Sequence, residues 1–187
     1  MPSVRPYSEK DKERVQNICL ANAECLNSPE DTQKYILIMY CNYYIEQEPG
    51  NCFVAVNDDD EAVGYIICSE NYDSYEKVFK ELYLNQCAAI SPKRYVDAKL
   101  DLLSHSMFKN QYPAHFHIDI DENYQRMGVG SLLISTLKAH LRKKNIKNMM
   151  MVCGEDNENA KSFYRKNGFK DLLTTKMGHA MALEFDE

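Results

Sequence analysis

Apolar positions along the chain change their spacing several times, and each change marks an element. Val15, Ile18 and Cys19 recur at helical spacing behind Ser8-Glu9-Lys10-Asp11, which has the Ser-x-x-acid form of a capping box. The pattern predicts a helix from about 8 to 22, after a short strand near Ser3 to Pro6. A second helix starts with Ser28 as N-cap, Pro29 at the first helical position, and Glu30 and Asp31 on the positive end of the dipole. It should run to about Glu46 and stop before Pro49-Gly50. CFVAV (52–56) and AVGYIIC (62–68), joined by the acidic turn NDDDE, read as a β-hairpin.

Residues 71 to 110 change character. Tyr75, Val78, Phe79, Leu82 and Tyr83 keep helical spacing, and so do Val96, Leu100, Leu103 and Met107, with Ser91-Pro92 opening the second run. This predicts a two-helix excursion. AHFHIDI (114–120) then alternates strictly and is a strand. His115, His117, Asp119 and Asp121 share one of its faces, while Phe116, Ile118 and Ile120 point the other way. Val129, Leu132, Leu133, Thr136, Leu137, His140 and Leu141 mark one face of a helix, NIKNMMMVC (145–153) a strand, and Ala160, Phe163 and Tyr164 a helix closed by Asn167-Gly168. Two more strands fit between Phe169 and Phe185. No repeat, low-complexity tract or linker interrupts this order. The expectation is one α/β domain over residues 1–187, a mixed central sheet with helices on both faces and an insertion at about 71–110.

Composition narrows the setting. The 187 residues suffice for a sizeable core, and 44% hydrophobic with 27% charged residues is ordinary for a globular chain. No apolar run approaches the roughly 18 residues of a membrane span, and the charged N-terminus lacks a signal-peptide core. Seven Cys in no CxxC pattern behave as small core hydrophobes, which fits a reducing cytoplasm. A net charge of -6 argues against a nucleic-acid partner and tolerates a cationic substrate.

The chemistry concentrates after the alternating strand. YQRMGVGS (124–131) carries two glycines between a strand and a helix, where successive amides and the helix N-terminus form a site for a phosphate. Gly128 and Gly130 remove Cβ atoms that would block close approach, Ser131 adds a hydroxyl and Arg126 a charge at the rim. The stretch is neither a Walker loop nor a GxGxxG fingerprint. Glycines before helices also serve plain packing.

Gln125-Arg126-Met127-Gly128-Val129-Gly130 resembles the Q/R-x-x-G-x-G/A motif of the GNAT superfamily of acyl-CoA N-acyltransferases. Asn157 to Phe169, NENAKSFYRKNGF, is similar to that family's N-x-x-A-x-x-x-Y signature followed by G-F. More loosely, YYIEQEPGNCFVAV and the inserted helices resemble stand-alone relatives of the acetyltransferase-like domain of O-GlcNAc hydrolases. The resemblance implies an acyl-CoA donor, usually acetyl-CoA, with its pyrophosphate on the amides from Arg126 to Ser131. The pantetheine arm is then expected alongside Ile118 to Ile120, where the neighbouring strands splay, with Asn157 and Ala160 at cofactor-contacting positions. Tyr164 matches the family's usual proton donor, and its ordinary pKa of about 10 suits a thiolate. It also has a plain packing role available beside Phe163. Glu122 departs from the proline often found there, which affects only loop stiffness.

For the base, His117 has a suitable intrinsic pKa and Asp119 lies nearest the expected thioester. A solvated strand face or an H-x-H-x-D metal site are the competing readings, and no further Cys/His cluster favours metal. The leading expectation is therefore an N-acetyltransferase acting on a primary amine in a ternary complex. A non-catalytic acyl-CoA-binding or protein-interaction module is the alternative, and a metal-dependent hydrolase built on His115 and His117 comes third. Small-molecule amines and protein amines both remain open as acceptors, with no nucleic-acid or membrane partner. The acceptor side should be built from helix two and the insertion, with Tyr72, Tyr75, Tyr83 and the helix from about Pro92 to Phe108 covering it. An amphipathic helix pair would serve a homodimer contact equally well.

Overall fold

The computed structural model describes residues 2–176 and 178–185. Seven strands form one sheet: β1 (Ser3–Pro6), β2 (Cys52–Val56), β3 (Ala62–Ser69), β4 (His115–Ile120), β5 (Asn148–Cys153), β6 (Lys170–Thr175) and β7 (Gly178–Glu184). Their order is β1-β2-β3-β4-β5-β7-β6, antiparallel at every neighbour except the parallel β4–β5 pair. The final hairpin thus inserts its second strand against β5.

Both faces of the sheet are covered, which is why CFVAV reads as a continuous apolar run rather than an alternating one. Cys52, Val54 and Val56 enter one core together with Val15, Ile18 and Ile38, while Phe53 and Ala55 enter the other together with Leu133 and Leu137. The first core lies under α1 (Lys12–Asn22), α2 (Glu30–Leu37) and α3 (Tyr43–Gln47), and the second under α7 (Val129–Lys143) and α8 (Glu158–Lys166). Asp11 does the work expected at the start of helix one: its carboxylate accepts from the Ser8 amide at 2.9 Å and from Arg5 at 2.7 Å.

Helix two departs from expectation twice. Its N-cap is Pro29 rather than Ser28, and the Gln33 side chain instead donates to the Leu26 and Ser28 carbonyls at 2.9 and 3.0 Å. Between α2 and α3 the backbone also widens into a π-helical turn at Ile38–Asn42. Such turns rotate the side chains they carry relative to a regular helix.

The insertion holds three helices rather than two: α4 (Tyr72–Leu82), α5 (Leu84–Ile90) and α6 (Pro92–Ser106). Tyr72, Tyr75 and Tyr83 do not cover an open acceptor side. They are core residues only 2–3% exposed, and Tyr75 stacks on Tyr44 with ring centroids 5.7 Å apart. The Tyr72 hydroxyl donates to the Leu102 carbonyl at 2.5 Å, tying α4 to α6. On α6 the apolar stripe that predicted the helix is its exposed side, with Val96, Leu100, Leu103 and Met107 all about half accessible. The inward face carries Ala98, Leu102 and His105. Among the described residues, no helix is long and apolar enough to cross a membrane.

Candidate active site

The site begins with a failure of pairing. β4 pairs with β3 along its whole length and β5 likewise with β7, but β4 and β5 meet only at His115 and Met150. Beyond that point their facing edges diverge. The Met150 amide donates to the Ala114 carbonyl on this edge at 2.9 Å, and the Asp121 amide donates the opposite way, to Val63, at 2.9 Å. Strand alternation therefore turns the backbone polar groups of Ile118 and Ile120 toward the gap. The Ile120 carbonyl is taken by Asn22 at 3.2 Å and Gln125 at 3.1 Å, so Gln125 spends its side chain tying the turn to the strand. Ile118 keeps its edge open.

A cleft of about 780 Å³ runs from this gap to the glycine turn. Its lining includes Ile118, Asp119, Ile120, Gln125, Arg126, Gly128, Gly130 and Ser131 from the strand and turn, and Asn157, Ala160 and Tyr164 from α8 and its cap. Met127 and Val129 are not among the lining side chains: Met127 points to solvent and Val129 is buried in the core beneath α7. Only their amides remain available to a ligand. The first intrahelical acceptor of α7 is Gly128, whose carbonyl takes the Leu132 amide, which leaves the amides of residues 129–131 without intrahelical partners. No acidic residue sits in that first turn.

The two glycines have different reasons. Gly128 has φ +84°, a left-handed conformation at the N-cap, and nothing within 4 Å of where a Cβ would stand. Gly130 is a packing glycine, because a Cβ there would meet the Phe163 ring at 2.7 Å and Ile120 Cδ1 at 3.1 Å. Clearing space for a ligand describes the first glycine and not the second. Asn157 caps α8 by accepting from the Ala160 amide at 3.0 Å while facing the same cleft.

A second cavity of about 350 Å³ opens on the other side of β4 and shares Asp119 and Asn22 with the first. Tyr40 from the π turn, Asp101 and His105 from α6, and His117 from β4 line it. Helix two and the insertion, the segments expected to shape an acceptor side, thus both contribute. Asp119 stands where the cavities meet. Desolvation pushes its carboxyl up to about 7, against the lowering effect of a hydrogen bond from the Tyr65 hydroxyl. His117 moves the opposite way: burial lowers its imidazole to about 3, and its Nε2 lies 3.1 Å from the Tyr44 hydroxyl. The suitable intrinsic pKa of His117 is lost to desolvation. His115 lies deeper, fully surrounded by aromatic rings, with neither ring nitrogen hydrogen-bonded.

Tyr164 is 6% exposed and packs against Phe163, Phe116 and Phe169 with centroids 5.2–6.2 Å away. Burial, and secondarily the Asp119 charge, raises its hydroxyl well above the usual phenol value. Among the described residues no three His, Cys, Asp or Glu side chains converge in a group able to hold a metal ion.

Sequence reading missed part of each cavity. Asn159, Ser162, Phe163 and Lys166 also line the cleft, and they lie at i, i+3, i+4 and i+7, so one helical face drawn from Asn159 would have found them. Asn22, Tyr40 and Asp101 carry no local signal. They reach the site through tertiary packing.

The comparisons with known proteins bear on the family and the fold. The model of the acetyltransferase (GNAT) family matches residues 15–169. The fold is shared with the crystal structure of SsHAT at TM-score 0.84 and 23% identity, covering 100% of this chain and 99% of that one. It is also shared with a Drosophila melanogaster polyamine N-acetyltransferase that forms N-acetylagmatine, at TM-score 0.68 and 12% identity over 99% and 100% of the two chains. A third likeness is to the PaiA N-acetyltransferase of Thermoplasma acidophilum in complex with coenzyme A, at TM-score 0.62 and 15% identity over 99% of each chain. With its splayed parallel strands, its glycine turn into α7 and the family match over most of its length, this chain belongs to the GNAT acetyltransferase family.

Proposed function

We propose that this protein transfers an acetyl group from acetyl-CoA to a primary amine by direct attack in a ternary complex. The observation that carries the reading is that two cavities on opposite sides of β4 meet at Asp119. A thioester in the cleft and an amine in the second cavity can then face each other without an enzyme-bound intermediate. The pyrophosphate lies against the free amides at the start of α7, with Arg126 at the rim, and the pantetheine arm adds to the open edge of β4 at Ile118.

In the reaction, Asp119 takes a proton from the incoming ammonium, and the neutral amine attacks the thioester carbonyl, polarised by a strand amide. The C–N bond forms, the C–S bond breaks, and the amine's second proton passes to the Tyr164 phenolate as the amide forms, while Asp119 returns its own proton to solvent. Tyr164 donates to the departing sulfur, which leaves as the thiol. With its hydroxyl held above the usual phenol value, Tyr164 stays protonated throughout the working range, and the phenolate it leaves is basic enough to recover a proton at once. Asp119 is preferred to His117 as the base because it alone lines both cavities and has the higher proton affinity.

The test is a mixture of small primary amines with acetyl-CoA, read by free thiol, alongside calorimetric binding of CoA. Binding with amine-dependent thiol release is the expected result. Binding without release for any amine favours the non-catalytic acyl-CoA-binding module. Ser131→Glu isolates the phosphate site: a carboxylate in the first turn of a helix favours the fold, yet it puts negative charge where the pyrophosphate sits. CoA affinity should fall by about 100-fold with the melting temperature unchanged or raised. Unaltered affinity would remove the phosphate site from α7. Gly130→Asp is a poor substitute, because it drives a side chain into Phe163.

Tyr65→Phe probes how the base is set. Losing the Tyr65 hydrogen bond removes a lowering influence, so the acidic limb of kcat/KM should move to higher pH than in the wild type. A limb that stays in place would mean that another group supplies it.

A further inference from the structure

The second cavity carries charges that a plain amine does not require. Asp101 lines it from α6, far from the reacting centre in sequence and on a different element from Asp119. Its carboxylate has thin support: Tyr40 donates to Oδ2 at 3.3 Å, and His105 Nδ1 lies 3.8 Å from Oδ1 and 3.3 Å from the Asp101 carbonyl. Burial raises Asp101 above the ordinary carboxylate value, against the lowering effects of His105 and the Tyr40 hydrogen bond. No lysine or arginine is among the described residues that line this space. His117 is held neutral, so it offsets neither carboxylate.

Aromatic rings stand between the two acids. Tyr40 packs edge-on against His117 with centroids 5.4 Å apart and reaches Asp101 with its hydroxyl, while Ile36, Ala23 and Val152 are among the apolar residues of the lining and Asn22 and His105 among the polar ones. The π turn at Ile38–Asn42 carries Tyr40 and so delivers this ring to the cavity. Residues two apart on a strand lie about 7 Å apart, which separates Asp119 from His117, and Tyr40 packs on His117 and carries its hydroxyl to Asp101. One cavity thus holds an anion from β4 and an anion from α6, with the His117 and Tyr40 rings between them.

Resting on the acetyltransferase reading above, we propose that the acceptor is a small dication, with its reacting amine at Asp119 and a second ammonium or guanidinium, on a short alkyl chain, at Asp101. The reacting end is deprotonated by Asp119, and the distal end keeps its charge on Asp101. A charge-assisted hydrogen bond in a partly desolvated site is the stronger kind, so the distal group should govern affinity more than turnover. The cavity volume of about 350 Å³ suits a small molecule rather than a folded surface.

The experiment compares straight-chain diamines and aminoalkylguanidines with monoamines of equal length, measuring kcat and KM with saturating acetyl-CoA. A parallel calorimetric titration of diamine into the CoA-saturated protein reads binding without turnover. The dications should have kcat/KM about 10–100-fold above their monoamine partners, mainly through KM. Asp101→Asn should erase that advantage and weaken diamine binding by a similar factor, with CoA affinity unchanged and the melting temperature unchanged or raised. Asp101→Glu, which keeps the charge, should restore part of it. Equal kcat/KM for monoamines and dications, or an advantage that survives Asp101→Asn, overturns the dication assignment and leaves the acetyltransferase reading standing. Diamine binding that depends on Asp101 but brings no thiol release from any amine keeps the cation site and overturns the reaction instead. A lysine peptide acetylated faster than every diamine overturns the small-molecule class.

Discussion

Asp119→Asn should lower kcat/KM by about 10²–10⁴-fold and abolish the acidic limb of its pH profile. In the wild type that limb should lie near the value of about 7 to which desolvation pushes the Asp119 carboxyl, with the rate rising as pH climbs through it. The same substitution should make the protein more stable at alkaline pH. An unfolded aspartate titrates near 4, so below that value the group is protonated in both states and imposes no penalty. As pH rises through about 7 the folded protein must ionise a desolvated carboxyl, and that part of its stability is lost. Three pKa units correspond to a ceiling of about 4 kcal/mol, which water in the cleft reduces. The variant should therefore melt several degrees higher at pH 8 and show no gain near pH 4. Reduced activity with an unshifted limb, or a stability gain independent of pH, would place the base elsewhere.

Tyr164→Phe should cost kcat about 10²-fold while sparing both CoA affinity and the fold. Tyr164 lines the cleft and its hydroxyl has no hydrogen-bonding partner among the described residues, so its removal leaves none of them unsatisfied. Packing against Phe163, Phe116 and Phe169 is retained by phenylalanine. Because burial holds the phenol above its usual range, the wild type should show no alkaline limb from Tyr164 below about pH 10. In the variant, alkaline solution should recover part of the rate, since a thiolate can then leave without a proton. Full kcat in Tyr164→Phe across the pH range would reduce the tyrosine to a packing residue.

The sequence determined most of the elements and much of the first cavity because both are written locally. Alternation in AHFHIDI follows from the strand's two-residue period, and it separated His117 and Asp119 from Ile118 and Ile120 correctly. The glycine turn and the Asn157-to-Phe169 stretch are contiguous, so the residues they bring to the cleft were legible one after another. The apolar stripe of α6 misled about which side is buried, because periodicity reports that a helix is amphipathic and not what lies against it. Desolvation was equally invisible. Equal spacing along β4 leaves His117 neutral and sets Asp119 near neutrality only because Tyr44, Tyr65 and the inserted helices close around them. Only the tertiary structure placed Tyr40 and Asp101, 61 residues apart, within hydrogen-bonding distance. Contacts of that range are fixed by how α6 and the π turn pack across the sheet face, and no local pattern of residues carries that information.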